Sequence, residues 1–272
     1  MRPGRLVVCP TPIGNLEDVT LRVLSVLREA DVVACEHTRR TRVLLDRYGV
    51  SAQLVSYHEH NERARTSQLV ERMQGNGVVA LVSDAGMPLV SDPGFVLVRA
   101  CVAAGLEVEV LPGPSAPVAA LVASALPADT WRFVGFLPRK VGELREVFAG
   151  PETVVAFEAP GRVAATLRAL AADAPDRGIA VCRELTKVHE EVVRGSAAEL
   201  AGRYTQEAPR GEVVLVVAGA SQGPGPEEAE AVNALRRLVD AGARPRAAST
   251  VVAELTGLRA NALYRALTEG GE

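Results

Sequence analysis

Short, unbroken apolar runs alternate along this chain with stretches of helical period, and that alternation limits the possible folds more than any other feature. "RLVVCP", "ADVVACE", "GVVALVSD" and "EVEVLPG" are interleaved with helical patterns over residues 20–28, 41–48, 64–74 and 95–104. The runs are continuous Val, Leu and Ala, without polar alternation, which suits strands buried on both faces in a parallel sheet with helices on each side. A second unit opens after a helix over 117–125, at "LPADTWRFVGFLPRK". It holds "TVVAFEAP", a helix over 162–172, "GIAVCRELTK", "HEEVVRGS", a helix from Ala197 and "GEVVLVVAGA". Strands are more frequent there, which predicts a mixed, partly antiparallel sheet.

"GASQGPGPEE" is rich in Gly and Pro and has no period, so it reads as a linker, and the sequence beyond it is helical. The expected organisation is therefore an α/β domain over 1–116, a second over 117–220, and a linker with a helical tail over 221–272. With 272 residues, 48% of them hydrophobic, the chain can fill more than one core.

No apolar run reaches the roughly 18 residues of a membrane span, and "MRPGRLVVCP" is too short for a secretory leader, so no membrane role and a cytoplasmic location are expected. Cys9, Cys35, Cys101 and Cys182 show neither C-x-x-C nor zinc spacing and read as reduced core residues. His58 and His60 in "YHEHNER" lack further ligands nearby, so no metal is expected. A net charge of −3 does not mark a nucleic-acid binder, although a local basic patch still supplies phosphate contacts. Basic residues are 28 Arg against only Lys140 and Lys187. Lysine, unlike arginine, titrates when buried.

Ligands of open α/β sheets sit at the carboxyl ends of the strands. The loops there are "PTPIGNLEDVT", "SDAGMPLVSDPG", "PGPSA", "FEAPGR" and "ELTK". None contains G-x-G-x-x-G or a phosphate loop, which disfavours dinucleotide and triphosphate ligands. Proline-fixed backbone with a few polar side chains suits a flat, uncharged or cationic ligand. Asp84, at a strand end with glycine two residues on, is the ligand-binding candidate; Asp92, before Pro93 and Gly94, is expected to cap the helix starting near Phe95. "EHTRRT" clusters Glu36, His37, Thr38 and Arg39: either a helix cap with a solvated basic face, or an anion site. Asp18 or Thr20 is expected to cap the first helix, leaving the Asn15 amide to address substrate.

The tail segment "ASTVVAELTGLRANALYRAL" has helix-turn-helix spacing, with a Ser or Thr cap, Gly257 at the turn and a second helix from about Ala260. Arg236, Arg237, Arg244, Arg246, Arg259 and Arg265 concentrate there. The segment is either an RNA contact or a solvated three-helix cap.

Taken together, "PTPIGNLEDVTLR", "EHTRRT", "LVSDAGMPLVSDPG", "LPGPSA", "GFLPRK" and "RELTK" closely resemble the ribosomal RNA small subunit methyltransferase I family, of the tetrapyrrole methylase superfamily. The resemblance runs from Leu6 to about Ala220. It departs at Cys9 before "PTP", at His37 where Asp is usual, and at Met87 where Thr is common. It implies two tandem α/β domains with S-adenosylmethionine in the cleft between them, and a small helical domain after them. It implies methyl transfer to the ribose 2′-hydroxyl of a cytidine in the decoding region of 16S rRNA, within the small ribosomal subunit, by a homodimer. Carried over by position, Pro10, Ile13, Asp84, Met87, Ser115 and Ala116 meet the cofactor from the first domain, and Phe157, Leu185, Glu212 and Val213 from the second. Candidates for the catalytic groups are Lys187, as a neutral base or simply a phosphate ligand, with Glu36, His37, Glu158 and Asn15; Arg39, Arg40, Arg244, Arg246, Arg259 and Arg265 are the RNA-binding candidates. Two alternatives are a methylase of a tetrapyrrole precursor, against which the glycine-poor first loop argues, and a ligand-sensing nucleic-acid-binding regulator.

Overall fold

A computed structural model describes residues 4–220 and 226–269. The chain divides into two compact units, Met1–Ala220 and Ser221–Glu272. The first unit contains two five-stranded sheets.

The first sheet is built from β1 (Arg5–Val8), α1 (Leu21–Glu29), β2 (Val32–Cys35), α2 (Thr38–Arg47), β3 (Leu54–Ser56), α3 (Glu62–Gln74), β4 (Val78–Val82), α4 (Phe95–Ala103) and β5 (Glu107–Val110). All five strands are parallel, in the order β3-β2-β4-β1-β5. Alternate residues of the central strands feed two cores. Val7, Val33, Cys35, Ala80 and Val82 meet Val23, Leu27, Leu44 and Leu45 of α1 and α2. Leu6, Val8, Ala34, Val79 and Leu81 meet Leu69, Met73, Leu97 and Cys101 of α3 and α4. Burial on both faces is why these strands read as continuous apolar runs. β3, a three-residue edge strand in polar sequence, gave no such run, and "GVVALVSD" is accordingly the fourth strand, not the third. β5 is the other edge, and its Glu107 and Val110 are exposed.

The second sheet follows: α5 (Ala116–Ser124), β6 (Trp131–Phe136), α6 (Val141–Val147), β7 (Thr153–Glu158), α7 (Val163–Asp173), β8 (Gly178–Arg183), β9 (Glu191–Ser196), α8 (Ala197–Gln206) and β10 (Val213–Val217). Its order is β6-β7-β10-β8-β9, with only β6 and β7 parallel. Val213, Leu215 and Val217 of β10 face α6, α7 and α8. Val214 and Val216 face α5 and the first loop, in a cluster with Ile13, Ala120, Leu121 and Leu185. That cluster joins the two halves of the unit. The four cysteines are buried and unpaired, as expected. α6, with one buried residue, escaped the sequence reading.

The tail consists of α9 (Pro226–Asp240), α10 (Pro245–Thr256) and α11 (Ala260–Glu269) around Ala231, Val232, Leu235, Ala248, Val252 and Leu263. Gly257, in the left-handed region at φ 72°, closes α10, and α11 begins at Ala260. The expected Ser or Thr cap is corrected: α10 starts at Pro245, and the Ser249 and Thr250 hydroxyls bond back to the carbonyls of Pro245 and Arg246. Residues 221–225 of the proposed linker lie outside the described residues. No described helix is long and apolar enough to cross a membrane.

The joint between the sheets leaves no room at Gly14. A Cβ there would lie 2.4 Å from Lys187 Cγ, 2.8 Å from Thr186 Oγ1 and 3.0 Å from the Leu185 carbonyl oxygen. Gly14→Ala should therefore destabilise the unit by about 1–3 kcal/mol, the usual cost of overpacking. Urea unfolding monitored by circular dichroism checks this, and an unchanged midpoint contradicts it.

Candidate functional site

The chain leaves β1 towards β2 on one side of the sheet and leaves β4 towards β5 on the other, so a crevice opens where those two paths diverge. The loops after β1 and β4 are tied across it. Thr11 and Gly86 exchange two backbone hydrogen bonds of 2.9 Å, and the Thr11 hydroxyl donates to the Ser83 carbonyl. Beside this tie lies a cavity of about 420 Å³, walled by Ile13, the loop from Ala85 to Asp92, Ser115 to Pro117, Phe136, Phe157 to Pro160 and Gly211 to Val214. Both sheets contribute.

Of the predicted cofactor contacts, Ile13, Met87, Ser115, Ala116, Phe157, Glu212 and Val213 line this cavity. Pro10 and Leu185 do not. Pro10 instead packs against Gly113, where a Cβ would sit 2.4 Å from its ring, and Leu185 is buried in the joint with Ile13. Asp84 also points elsewhere. Its carboxylate accepts from His37 Nδ1 at 2.7 Å, from Arg40 Nη1 at 2.9 Å and from the His37 backbone amide at 3.2 Å. Glu36 approaches the same imidazole at 3.8 Å. Among the described residues Glu36, His37 and Asp84 could together ligate a cation, yet the Arg40 guanidinium already supplies positive charge to Asp84.

Asp92, and not Asp84, lines the cavity. It was expected to cap α4, but Gly94 is the N-cap, at φ 138°, and no side chain caps that helix. Asp92 instead lines the cavity. Burial, with the charges of Glu36 and Asp84 nearby, pushes its carboxyl up to about 7. Sequence reasoning also missed Phe136, whose ring lies 5.4 Å from that of Phe157. The signal for Asp92 was the repeated Ser-Asp pair; Pro93-Gly94 imitated a helix start and masked it.

Backbone strain gathers at the rim. Leu89, Ser91, Glu184 and Thr186 have positive φ, from 48° to 72°, and a bulky Leu in that region is a marked outlier. Such strain costs of order 1–3 kcal/mol per residue and is typical of functional loops. Glu184 secures its loop by accepting from Glu212 N and Lys187 Nζ, each at 2.9 Å.

The catalytic candidates fare unequally. Lys187 Nζ donates to Glu184 and to Glu212 at 3.0 Å. Burial works against its charge, but these two bonds outweigh burial and raise the ammonium above its ordinary range, which suits a held cation more than a neutral amine. Glu158 is buried with both oxygens engaged, one by the Thr166 hydroxyl at 2.6 Å and one by the Ala159 amide at 2.8 Å. Asn15 Oδ1 accepts from Glu17 N, and the Asn15 backbone N–H donates to Thr186 Oγ1 across the joint; Thr20 is the residue that caps α1. Arg39 and Arg40 are exposed in the first turn of α2. In the tail unit Arg244, Arg246, Arg259 and Arg265 are exposed, with the Arg246 guanidinium 5.7 Å above the Tyr264 ring.

Residues 5–201 match the profile of Tetrapyrrole (Corrin/Porphyrin) Methylases. A Mesorhizobium japonicum protein named ribosomal RNA small subunit methyltransferase I is 46% identical over 97% of this chain and 91% of its own length. A Thermotoga maritima protein of the same name is 41% identical over 219 residues, 79% of this chain but 99% of its own. A uroporphyrin-III C-methyl transferase from Thermus thermophilus, solved with S-adenyl homocysteine, is 21% identical with a TM-score of 0.56 over 79% of this chain and 97% of its own, which shows a shared fold. With its crevice between a parallel and a mixed sheet and these relatives along nearly its whole length, the chain belongs to the ribosomal RNA small subunit methyltransferase I family of tetrapyrrole methylases.

Proposed function

We propose that the protein transfers the methyl group of S-adenosylmethionine to the ribose 2′-hydroxyl of a cytidine in the decoding region of 16S rRNA, within the small ribosomal subunit. The observation that carries this is the cavity between the sheets, whose donors and acceptors match the cofactor. The half-buried Asp92 carboxylate offers a partner for the cofactor's ammonium. The first turn of α5, where Ser115 makes no capping bond, offers unpaired backbone amides to a carboxylate. Phe136, Phe157 and Val214 form an apolar wall for the adenine. Held by these residues, the cofactor would supply an electrophilic methyl on a cationic sulfur, so that in-line attack by the ribose oxygen on the methyl carbon would release the sulfur as a neutral thioether, S-adenosylhomocysteine.

Holding that oxygen in a near-attack geometry contributes about 7–11 kcal/mol of the barrier reduction. The hydroxyl proton passes to a base. Glu36 is the candidate whose oxygens make no hydrogen bond among the described residues; its carboxylate lies 3.8 Å from His37 Nδ1. Lys187, as a fixed cation, positions RNA or the 184–187 loop. We further infer a cytoplasmic homodimer. The tail unit acts as an RNA-binding accessory, a reading supported by its exposed Arg244, Arg246, Arg259 and Arg265.

Four measurements test this. Labelled S-adenosylmethionine is supplied with unmodified small subunits, free 16S rRNA and uroporphyrinogen; label on a cytidine 2′-oxygen is expected, and label on the macrocycle alone overturns the assignment. Asp92→Asn should weaken S-adenosylmethionine binding roughly 10- to 100-fold, the worth of a hydrogen bond to a charged group. In the unliganded protein the Asp92 carboxyl holds its proton to about 7, against 3.8 as the ordinary value, so stability falls as pH rises through that window and cofactor affinity climbs from pH 6 to 8. Both slopes should flatten in the variant, as read by calorimetry and thermal melts; identical slopes rule the role out. Removing residues 224–272 should weaken binding to small subunits while leaving cofactor affinity intact, and equal RNA affinity without the tail refutes its assignment.

A further inference from the structure

We propose that a second, polar cleft at the same end of the second sheet's strands binds the sugar-phosphate backbone of the RNA strand beside the methylated nucleotide. This deepens the rRNA assignment above and rests on it. The cleft measures about 860 Å³ and lies among Arg183, His189, Glu191, Arg203, Tyr204 and the segment from Gln206 to Arg210.

Its position follows from strand register. Val213 of β10 stands opposite Glu158 of β7 on one side and Arg183 of β8 on the other, and Arg183 stands opposite Glu191 of β9. The cofactor cavity occupies the Glu158–Val213 end of this row, and the cleft the Arg183–Glu191 end. From β7 to β9 is three strand spacings, roughly 14 Å. The two spaces are also adjacent along the chain: Arg210 borders the cleft, while Gly211 and Glu212 border the cavity.

The chemistry is that of an anion site. Three guanidiniums face two carboxylates, Glu191 and Glu207, with His189 in addition. Glu191 lies between Arg183 at 2.7 Å and Arg203 at 2.8 Å, which fixes both guanidiniums in place. Arg210 is exposed and makes no hydrogen bond or ion pair among the described residues, leaving its fork free for a phosphate. The Tyr204 hydroxyl is an independent pointer. Tyr204 is 4% exposed, yet its oxygen is buried without a hydrogen-bond partner. An unsatisfied hydroxyl at the wall of a polar cleft is completed by an acceptor from outside. The Tyr204 ring is itself covered by the Arg203 guanidinium at 5.7 Å, so no aromatic face is left for a base to stack on. The cleft therefore reads backbone and not sequence.

The test uses the full-length enzyme with small ribosomal subunits and free 16S rRNA. Arg210→Glu and Arg210→Ala, with Arg210→Lys as the charge-conserving control, are compared for RNA affinity at several salt concentrations, for KM and kcat, and for S-adenosylmethionine affinity. Arg210→Ala should raise KM for RNA roughly three- to tenfold and lower the salt slope of binding by about one, with kcat and cofactor affinity held; Arg210→Glu should exceed it and Arg210→Lys recover most of the loss. An Arg210→Glu enzyme with wild-type KM and salt slope overturns the cleft assignment alone. A wild-type enzyme that binds S-adenosylmethionine but labels no ribosomal RNA overturns the rRNA assignment, and the cleft with it.

Discussion

The site exists because the first loop is pressed against the second sheet. Ile13 enters the apolar cluster formed by α5 and the inner face of β7, β8 and β10, and Gly14 lies against the 185–187 segment with no space for a side chain. Pro10 and Pro12 hold the approach stiff, since each fixes φ and offers no amide. Without that contact the loop after β1 would have no partner on the second sheet, and the cavity would lose one wall. The stiffness and near absence of glycine that distinguish this turn from a phosphate-binding loop belong to a joint more than to a ligand contact.

Two aspartates eight residues apart in the same loop meet opposite fates, and the difference sets the electrostatics of the crevice. Asp84 is neutralised by Arg40 and bonded to His37, and so anchors the α2 start to the β4 loop. Asp92 has burial and two nearby carboxylates but no such cation. A carboxyl in such surroundings ionises more readily once a positive group comes beside it. Lys187 is the mirror case, a cation held by two carboxylates, Glu184 and Glu212, of the second sheet's loops.

The sheets were legible in the sequence because burial on both faces leaves an unmistakable apolar run, and most helices followed from their period. β3 and α6 were not, since a three-residue edge strand and a helix with one buried residue bury too little to leave a pattern. Seven of the ten cofactor contacts carried over by resemblance line the cavity, because strand ends place loop backbone whatever the side chains do. The reversal of Asp84 and Asp92 turned on the φ of Gly94 and on the reach of Arg40, which lies 44 residues away in sequence. Neither leaves a mark in local spacing, and nor does the unpartnered Tyr204 hydroxyl.

β10 carries alternate side chains to opposite sides of its sheet: Val213, Leu215 and Val217 to one core, Val214 and Val216 to the other. A slip of one residue would exchange these faces entirely. It would also carry Val213 out of the row that joins Glu158, Arg183 and Glu191. Substitutions along this strand thus cannot tune the methyl-donor pocket and the arginine cleft separately. In a lineage drifting towards a new substrate the two would be retained as a pair or forfeited as a pair, and novelty would have to come from the loops between strands.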